Sequence, residues 1–329
     1  MNDERNITVV FSTDDKYAIP TYIAVYSLLE NYKQVLPIDI IILIKNECVL
    51  EPFFPLFYSL QNGFENVNIT FVSTQSYFDT TPIKGSYITT ATMYRLLIPK
   101  FANAKKVIYL DSDTVVEDDI SNLFDIDVEG FCVAGVRDLS FPGGRNEMHN
   151  ESIGIPDLSK YINAGVLLYN VERINKLCLD NELIHEGSSN VYKYNDQDVI
   201  NSVLYKEIKI VSFRYNVMSS YVLRNDNQII NLYGKQDLLS ARKTPVVYHY
   251  AGLRKPWVYK HMTGADRWWK YINMQNPQLM EAYILPFIRG QEANLWDTIT
   301  ERVESRIKQV KLYPVCKMIA HGFKKDNEI

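Results

Sequence analysis

The stretch that most narrows the folds open to this chain is Lys106-Val107-Ile108-Tyr109-Leu110-Asp111-Ser112-Asp113-Thr114-Val115-Val116. Four apolar residues in a row behind a pair of lysines read as a strand buried on both faces. That strand runs straight into two carboxylates spaced i, i+2. In an open α/β sheet, ligands gather at the carboxyl ends of the strands, so Asp111 and Asp113 arrive where a site belongs. Hard oxygen donors there suit Mg²⁺ or Mn²⁺, ions commonly held by one or two carboxylates plus substrate phosphates. The bare spacing says less than the strand does. It recurs at Asp125-Ile126-Asp127 and Asp196-Gln197-Asp198, and most acidic pairs are solvated turns.

Upstream, Asn6 to Ser12 is a β-branched run ending in Thr13-Asp14-Asp15-Lys16-Tyr17, and Tyr22 to Tyr32 has helical apolar spacing. Strand, polar loop and helix open an α/β nucleotide-binding unit, but no glycine-rich loop is present. An acidic loop repels a pyrophosphate, so a nucleotide contact here falls to base or ribose, with Tyr17 able to stack on a base. The plain alternative is that Asp14 and Asp15 cap the helix. Ile38 to Ile44 and Asn68 to Val72 read as further strands. Ala91 to Leu97 reads as a helix whose one cation, Arg95, has the option of snorkelling to the surface.

Beyond the central stretch, Phe131 to Val136 is another strand, and the polar segment from Ser140 through Leu158 is a candidate lid. Tyr161 to Asn170 is a strand in which Ala164 and Gly165 permit close approach of backbone or ligand. Asp196 either N-caps the helix carrying Val199, Ile200, Val203 and Leu204 or points its carboxylate into a cleft. Thr244 to Tyr250 reads as the last strand. The run that follows packs a metal-capable imidazole (His249), a flexible Gly252 and a phosphate-capable Lys255 within seven residues.

A length of 329 residues suggests about two domains, although a single large α/β domain also satisfies it. Net charge −4 and pI near 5.8 argue against nucleic acid as the main partner. No run reaches the roughly 18 apolar residues that span a bilayer. The start, Met1 to Arg5, leads into a strand-like run and not a signal-peptide core. The four cysteines form no C-x-x-C pair and read as reduced thiols, so a cytoplasmic location is expected. A catalytic domain is expected over 1–285 and a basic amphipathic helical tail over 286–329. In that tail Trp296, Ile299, Val303, Ile307 and Val310 recur at spacings of 3, 4, 4 and 3. From Arg302 to Lys325 seven Lys or Arg residues accompany one acidic residue, Glu304. Such a segment lies well in the headgroup region of an anionic leaflet, which predicts peripheral contact with the inner membrane face. The alternative is that the stripe packs back on the catalytic domain.

Four motifs in register carry a family likeness: Tyr-Leu-Asp-Ser-Asp at 109–113, Asn-Ala-Gly-Val-Leu-Leu-Tyr-Asn at 163–170, Asp-Gln-Asp at 196–198 and His-x-x-Gly-x-x-Lys-Pro-Trp at 249–257. Each alone is weak; together they resemble glycosyltransferase family 8. That family contains bacterial lipooligosaccharide galactosyl- and glucosyltransferases, galactinol synthases and glycogenins. The resemblance implies an α/β fold of the GT-A nucleotide-sugar-binding type, with a mixed, mostly parallel central sheet and a helical C-terminal tail. It also implies a Mn²⁺-dependent site, with Mg²⁺ weaker, for a UDP-sugar donor. Galactose or glucose would pass to a glycan or lipid-linked acceptor of the cell envelope, such as lipopolysaccharide, with retention of configuration. Carried over by motif, Asp111, Asp113 and His249 hold the metal, and Gly252 and Lys255 bind phosphate oxygens. Asp14 and Tyr17 contact uracil, with Asp15, Ser112 and Ala164 in the same donor-binding set. Arg95, Asn163, Asp196 and Gln197 line the donor sugar. One departure stands out: the family often has Asn where this chain has Lys16.

The chemistry of transfer fits those residue types. Departing UDP develops negative charge, so a divalent ion with Lys255 supplies electrophilic catalysis. Oxygens of Gln197 and Asp196 can stabilise an oxocarbenium-like sugar. Retention needs either a carboxylate about 3–3.5 Å from the anomeric carbon or front-face attack, which the resemblance favours. Two rival readings stand beside this one. Asp111-Ser112-Asp113-Thr114-Val115 looks like the nucleophile loop of haloacid-dehalogenase phosphatases, with Asp111 phosphorylated. In those enzymes the loop follows the first strand and has Gly before the Thr, whereas here about 110 residues of α/β chain precede it. The other rival is a sugar-nucleotide-binding module without turnover, against which the intact Asp111, Asp113, His249 and Lys255 speak. Acceptor contacts are expected from Leu139–Leu158 and Val217–Gln236.

Overall fold

The structure is a computed structural model, and it describes residues 6–85, 88–140, 147–220 and 226–291. The strands are β1 (Ile7–Ser12), β2 (Ile38–Ile44), β3 (Val67–Ser73), β4 (Lys106–Leu110), β5 (Thr114–Val116), β6 (Val133–Arg137), β7 (Ile162–Asn170), β8 (Ile208–Ile210), β9 (Val217–Met218) and β10 (Val247–His249). Seven form one sheet in the order β3-β2-β1-β4-β7-β6-β8, and three form a second in the order β5-β10-β9. The large sheet is mixed and mostly parallel. β1 pairs in parallel with β2 and β4, β2 with β3, and β6 with β8, while β7 runs antiparallel to both β4 and β6. This is the α/β architecture expected of a GT-A enzyme.

Sequence pattern accounts for the strands. All six residues of β1 are buried, as are Val107 to Leu110 of β4, because helices cover both faces of a parallel sheet. The helix Ala18–Asn31 buries eleven residues, among them Thr21 and Ser27. Each hydroxyl reaches a carbonyl one turn back, Thr21 that of the N-cap Tyr17 at 2.7 Å and Ser27 that of Ala24 at 2.8 Å.

Two features position the site. First, β4 is parallel to β1 on one side and antiparallel to β7 on the other, so its carboxyl end meets the beginning of β7. The Asp111 N–H donates to Gly165 O at 2.8 Å. Second, the chain leaves the large sheet after Leu110, and Thr114–Val116 enters the small sheet against β10, with His249 opposite Thr114. The single stretch from Lys106 to Val116 is therefore two strands in two sheets, with Asp111 to Asp113 at the crossing. The strand expected from Thr244 to Tyr250 likewise belongs to the small sheet.

The chain divides into two compact units, Met1–Ala251 and Gly252–Ile329. Both sheets lie in the first. In the second, the helix Ala265–Asn273 buries Trp268, Tyr271 and Ile272. The Trp257 and Trp268 rings lie 5.6 Å apart, and the Trp269 indole donates to Pro256 O at 3.0 Å. The expected amphipathic stripe from Trp296 to Val310 lies outside the described residues. Among those described, no helix is long and apolar enough to cross a membrane.

Candidate active site

Asp111, Asp113 and His249 converge, each offering one ligand atom, with those atoms within 4.8 Å of one another. Backbone pairing brings them together: His249 lies opposite Thr114, and the Tyr250 N–H donates to Asp113 O at 2.9 Å. His249 Nε2 stands 3.2 Å from Asp113 Oδ1 and 3.7 Å from Asp111 Oδ2. Gly165 leaves room for this. A Cβ there would sit 2.2 Å from His249 Cε1 and 2.8 Å from Asp111 Oδ2. Two carboxylates and an imidazole within the span that two metal–ligand bonds of about 2.0–2.6 Å can bridge fit a divalent cation.

Beside the cluster lies a buried ion network. Arg95 does not snorkel; it is 4% exposed. Its Nη2 meets Asp111 Oδ1 at 2.7 Å and its Nε meets Asp196 Oδ2 at 3.0 Å. A further N–H donates to Ala164 O, and the guanidinium lies 4.5 Å over the Tyr109 ring. The segment Thr90–Leu97 is a 3₁₀ helix and not an α-helix. Residues i and i+3 eclipse in that geometry, which stacks Thr92 under Arg95. Thr92 Oγ1 accepts from Arg95 at 3.2 Å and donates to Asp196 Oδ1 at 2.6 Å. Burial opposes charge on Arg95, but Asp111 and Asp196 outweigh it and hold its pKa above the ordinary value. Burial pushes the Asp196 carboxyl up to about 6 against the pull of Arg95 and the Thr92 hydroxyl. Asp196 therefore points inward; the residue capping its helix is Tyr194, whose N–H donates to Asp198 Oδ2 at 2.9 Å.

On the His249 side the links are amides. His249 Nδ1 lies 3.0 Å from Asn216 Oδ1, and Asn216 Nδ2 donates to Asn163 Oδ1 at 2.9 Å. Asn163 Nδ2 donates to Gln197 Oε1 at 3.0 Å, and Gln197 Nε2 donates to Asp138 Oδ2 at 3.1 Å. Gln197 is anchored further by Ala164 N–H at 3.1 Å and Tyr161 OH at 3.3 Å.

The remaining residues singled out from sequence fall at the same sheet edge or in the second unit. Because β1 is parallel to β4, the loop holding Asp14, Asp15 and Tyr17 leaves the same end as Asp111. Ser112 joins the two, its Oγ 2.7 Å from Thr21 Oγ1 and donating to Ser12 O at 2.8 Å. Asp14 Oδ1 accepts the Tyr17 N–H at 3.0 Å, which sets the turn into the helix. Lys16 is exposed. Gly252 and Lys255 open the second unit, Gly252 at φ +94 and Lys255 with its carbonyl receiving the N–H groups of Val258 and Tyr259.

Several participants escaped the sequence reading. Tyr109 OH donates to Asp111 Oδ1 at 2.9 Å and is in turn 2.8 Å from Ser12 Oγ. The i, i+2 alternation of a strand was enough to place Tyr109 beside Asp111. Asp138 just past β6 was open to the strand-end argument. Asn216 and Thr92 carried no signal of that kind.

The description "Glycosyl transferase family 8" matches residues 8–261, and the chain belongs to that family. General stress protein A of Bacillus subtilis (strain 168) is 30% identical over 182 residues, covering 53% of this chain and 62% of that protein. The solved apo structure of the bifunctional glycosyltransferase WbbM aligns with TM-score 0.70 at 26% identity, covering 86% of this chain and 52% of that one. The galactosyltransferase LgtC, solved with donor and acceptor sugar analogs, aligns with TM-score 0.67 at 24% identity, covering 84% of this chain and 99% of that one. At that identity the LgtC likeness shows the fold. The chain spans less than two thirds of the first two. Family membership makes it a glycosyltransferase and removes the phosphatase reading.

Proposed function

We propose that this enzyme is a retaining hexosyltransferase, moving galactose or glucose from a UDP-sugar to a glycan or lipid-linked envelope acceptor in a Mn²⁺-dependent reaction. The observation carrying the reading is the convergence of Asp111, Asp113 and His249 at the crossing of the two sheets. When bound there, a divalent cation would neutralise charge developing on the departing diphosphate. Arg95 takes up Asp111 Oδ1, leaving Oδ2 on the His249 side. Asp196 and Thr92 hold Arg95 in that position. Lys255 would add a positive charge to the leaving group, and Asn163, Asp196 and Gln197 would orient the sugar. In front-face attack the acceptor oxygen bonds to the anomeric carbon as the sugar–phosphate bond breaks, and a leaving phosphate oxygen takes the acceptor proton.

The test is a donor-hydrolysis and transfer screen across UDP-sugars. Activity is expected to vanish on chelation and return with Mn²⁺, more weakly with Mg²⁺; full activity in excess chelator overturns the metal assignment. Lys255→Met is expected to lower kcat more than it raises the Kd for UDP-sugar, because the charge it meets develops in the transition state. A pure affinity loss would make Lys255 a uniform binder. Peripheral attachment through the basic tail belongs to the same proposal. It is checked by flotation of full-length protein, and of a truncation after Leu295, with anionic liposomes at low and physiological salt. Absence of full-length binding removes it.

A further inference from the structure

We infer that Asn216 is a positioning residue that fixes the tautomer of His249, and that the main chain of β7 dictates the choice through Asn163. The argument is one of donors and acceptors. An N–H can only donate, so Gly165 N–H at 3.0 Å settles where Asn163 Oδ1 lies, and Ala164 N–H at 3.1 Å does the same for Gln197 Oε1. Asn163 Nδ2 then faces Gln197 Oε1 at 3.0 Å, as it must. Asn163 Oδ1 can only accept, so the Asn216 atom 2.9 Å away is the amino group. That leaves Asn216 Oδ1 against His249 Nδ1 at 3.0 Å. An amide oxygen accepts only, so a proton sits on Nδ1, and Nε2 is the ring nitrogen turned to the carboxylates.

Nε2 faces Asp113 Oδ1 at 3.2 Å and Asp111 Oδ2 at 3.7 Å. A ring nitrogen and two carboxylates turned toward one point suit a site that encloses a cation. Asn216 is fully buried and His249 is 3% exposed, so bulk water does not compete for Nδ1. In functional terms the inference rests on the metal-site reading above, and it deepens that reading by naming the residue that aims the imidazole. Partners of this kind typically change metal affinity about 10–100-fold when removed.

The decisive measurement is ¹⁵N NMR of full-length, metal-free protein labelled selectively at histidine, above the imidazole titration range. His249 is expected with a proton on Nδ1; a ring whose Nδ1 is bare in the wild type overturns the inference. Asn216→Leu is expected to mix the tautomers and weaken Mn²⁺ binding, read as free Mn²⁺ by electron paramagnetic resonance, about 10–100-fold. Asn216→Asp, whose carboxylate still accepts from Nδ1–H, is expected to keep more affinity than the Leu variant. Equal Mn²⁺ affinity in the folded Leu variant and the wild type also overturns it. If Asn216→Leu does not fold, the wild-type spectrum decides. A protonated Nδ1 in a protein that binds no Mn²⁺ would uphold the role of Asn216 and defeat the metal reading, so the two fail separately.

Discussion

The two flanks of Asp111 are built from opposite materials. On one side Arg95 and Asp196 form a buried ionic network; on the other Asn216, Asn163 and Gln197 link to His249 by a run of one-directional amide hydrogen bonds. Charges in a dry interior attract strongly, but each is costly to bury alone. Amides cost less to bury and carry direction, because each has a donor end and an acceptor end. The ionic flank therefore fixes where Asp111 sits, and the amide flank fixes which atom of His249 faces it.

The largest effect should come from removing the central cation. Arg95→Met leaves Asp111 and Asp196 without their shared partner and is expected to destabilise the fold by about 3–5 kcal/mol, measured by urea denaturation. Adding Asp196→Asn should recover part of that loss. A cost below about 1 kcal/mol would show that the network is not held as an ion cluster.

Next in size are the metal ligands. Asp113→Ala and His249→Ala are each expected to lower kcat at least about 100-fold while the protein stays folded, the scale of losing a main electrostatic catalyst. Wild-type turnover in either variant would detach the amide flank from catalysis. Gly165→Ala tests the space between the flanks, since its Cβ would displace His249 and Asp111. Mn²⁺ affinity is expected to fall about 10-fold or more, with less effect on thermal stability than Arg95→Met; unchanged affinity would mean the cradle adjusts freely.

The smallest effect separates the flanks by pH. The folded-state pKa of Asp196 is raised from 3.8 to about 6 by burial. The folded chain thus keeps a proton that the unfolded chain has lost. Its stabilising contribution is complete below the unfolded value and fades as pH rises through about 6. Wild type should lose stability relative to Asp196→Asn across that window, by at most about 1.4 kcal/mol per pH unit. Parallel stability curves would place the Asp196 pKa at its ordinary value.

Much of this was legible from residue order alone. The buried strand ahead of Asp111, the small pair Ala164-Gly165 and the imidazole at a strand end are local patterns, and local patterns follow from propensity and periodicity. Arg95 shows the limit. As the one cation on the expected helix it had the option of a surface position, whereas in the 3₁₀ winding it lies over Thr92 and turns inward to Asp111 and Asp196. Asp196 is similar: its place at a helix start fits a cap, yet the N-cap is Tyr194, and the Asp196 carboxylate meets Arg95 instead.

By itself the sequence determined the α/β class, the strand that delivers the two carboxylates, and the residue types able to hold a cation. Those depend on near neighbours in the chain. Tertiary structure alone decided that Lys106–Val116 divides between two sheets, that β7 turns antiparallel to bring Gly165 beside Asp111, and that Asn216 meets His249. Strand order and amide orientation arise from contacts between residues far apart in the chain, 33 positions for Asn216 and His249, 53 for Asn216 and Asn163, 54 for Asp111 and Gly165 and 135 for Thr114 and His249. No local pattern encodes such pairings, because a hydrogen bond depends on where its partner arrives in space.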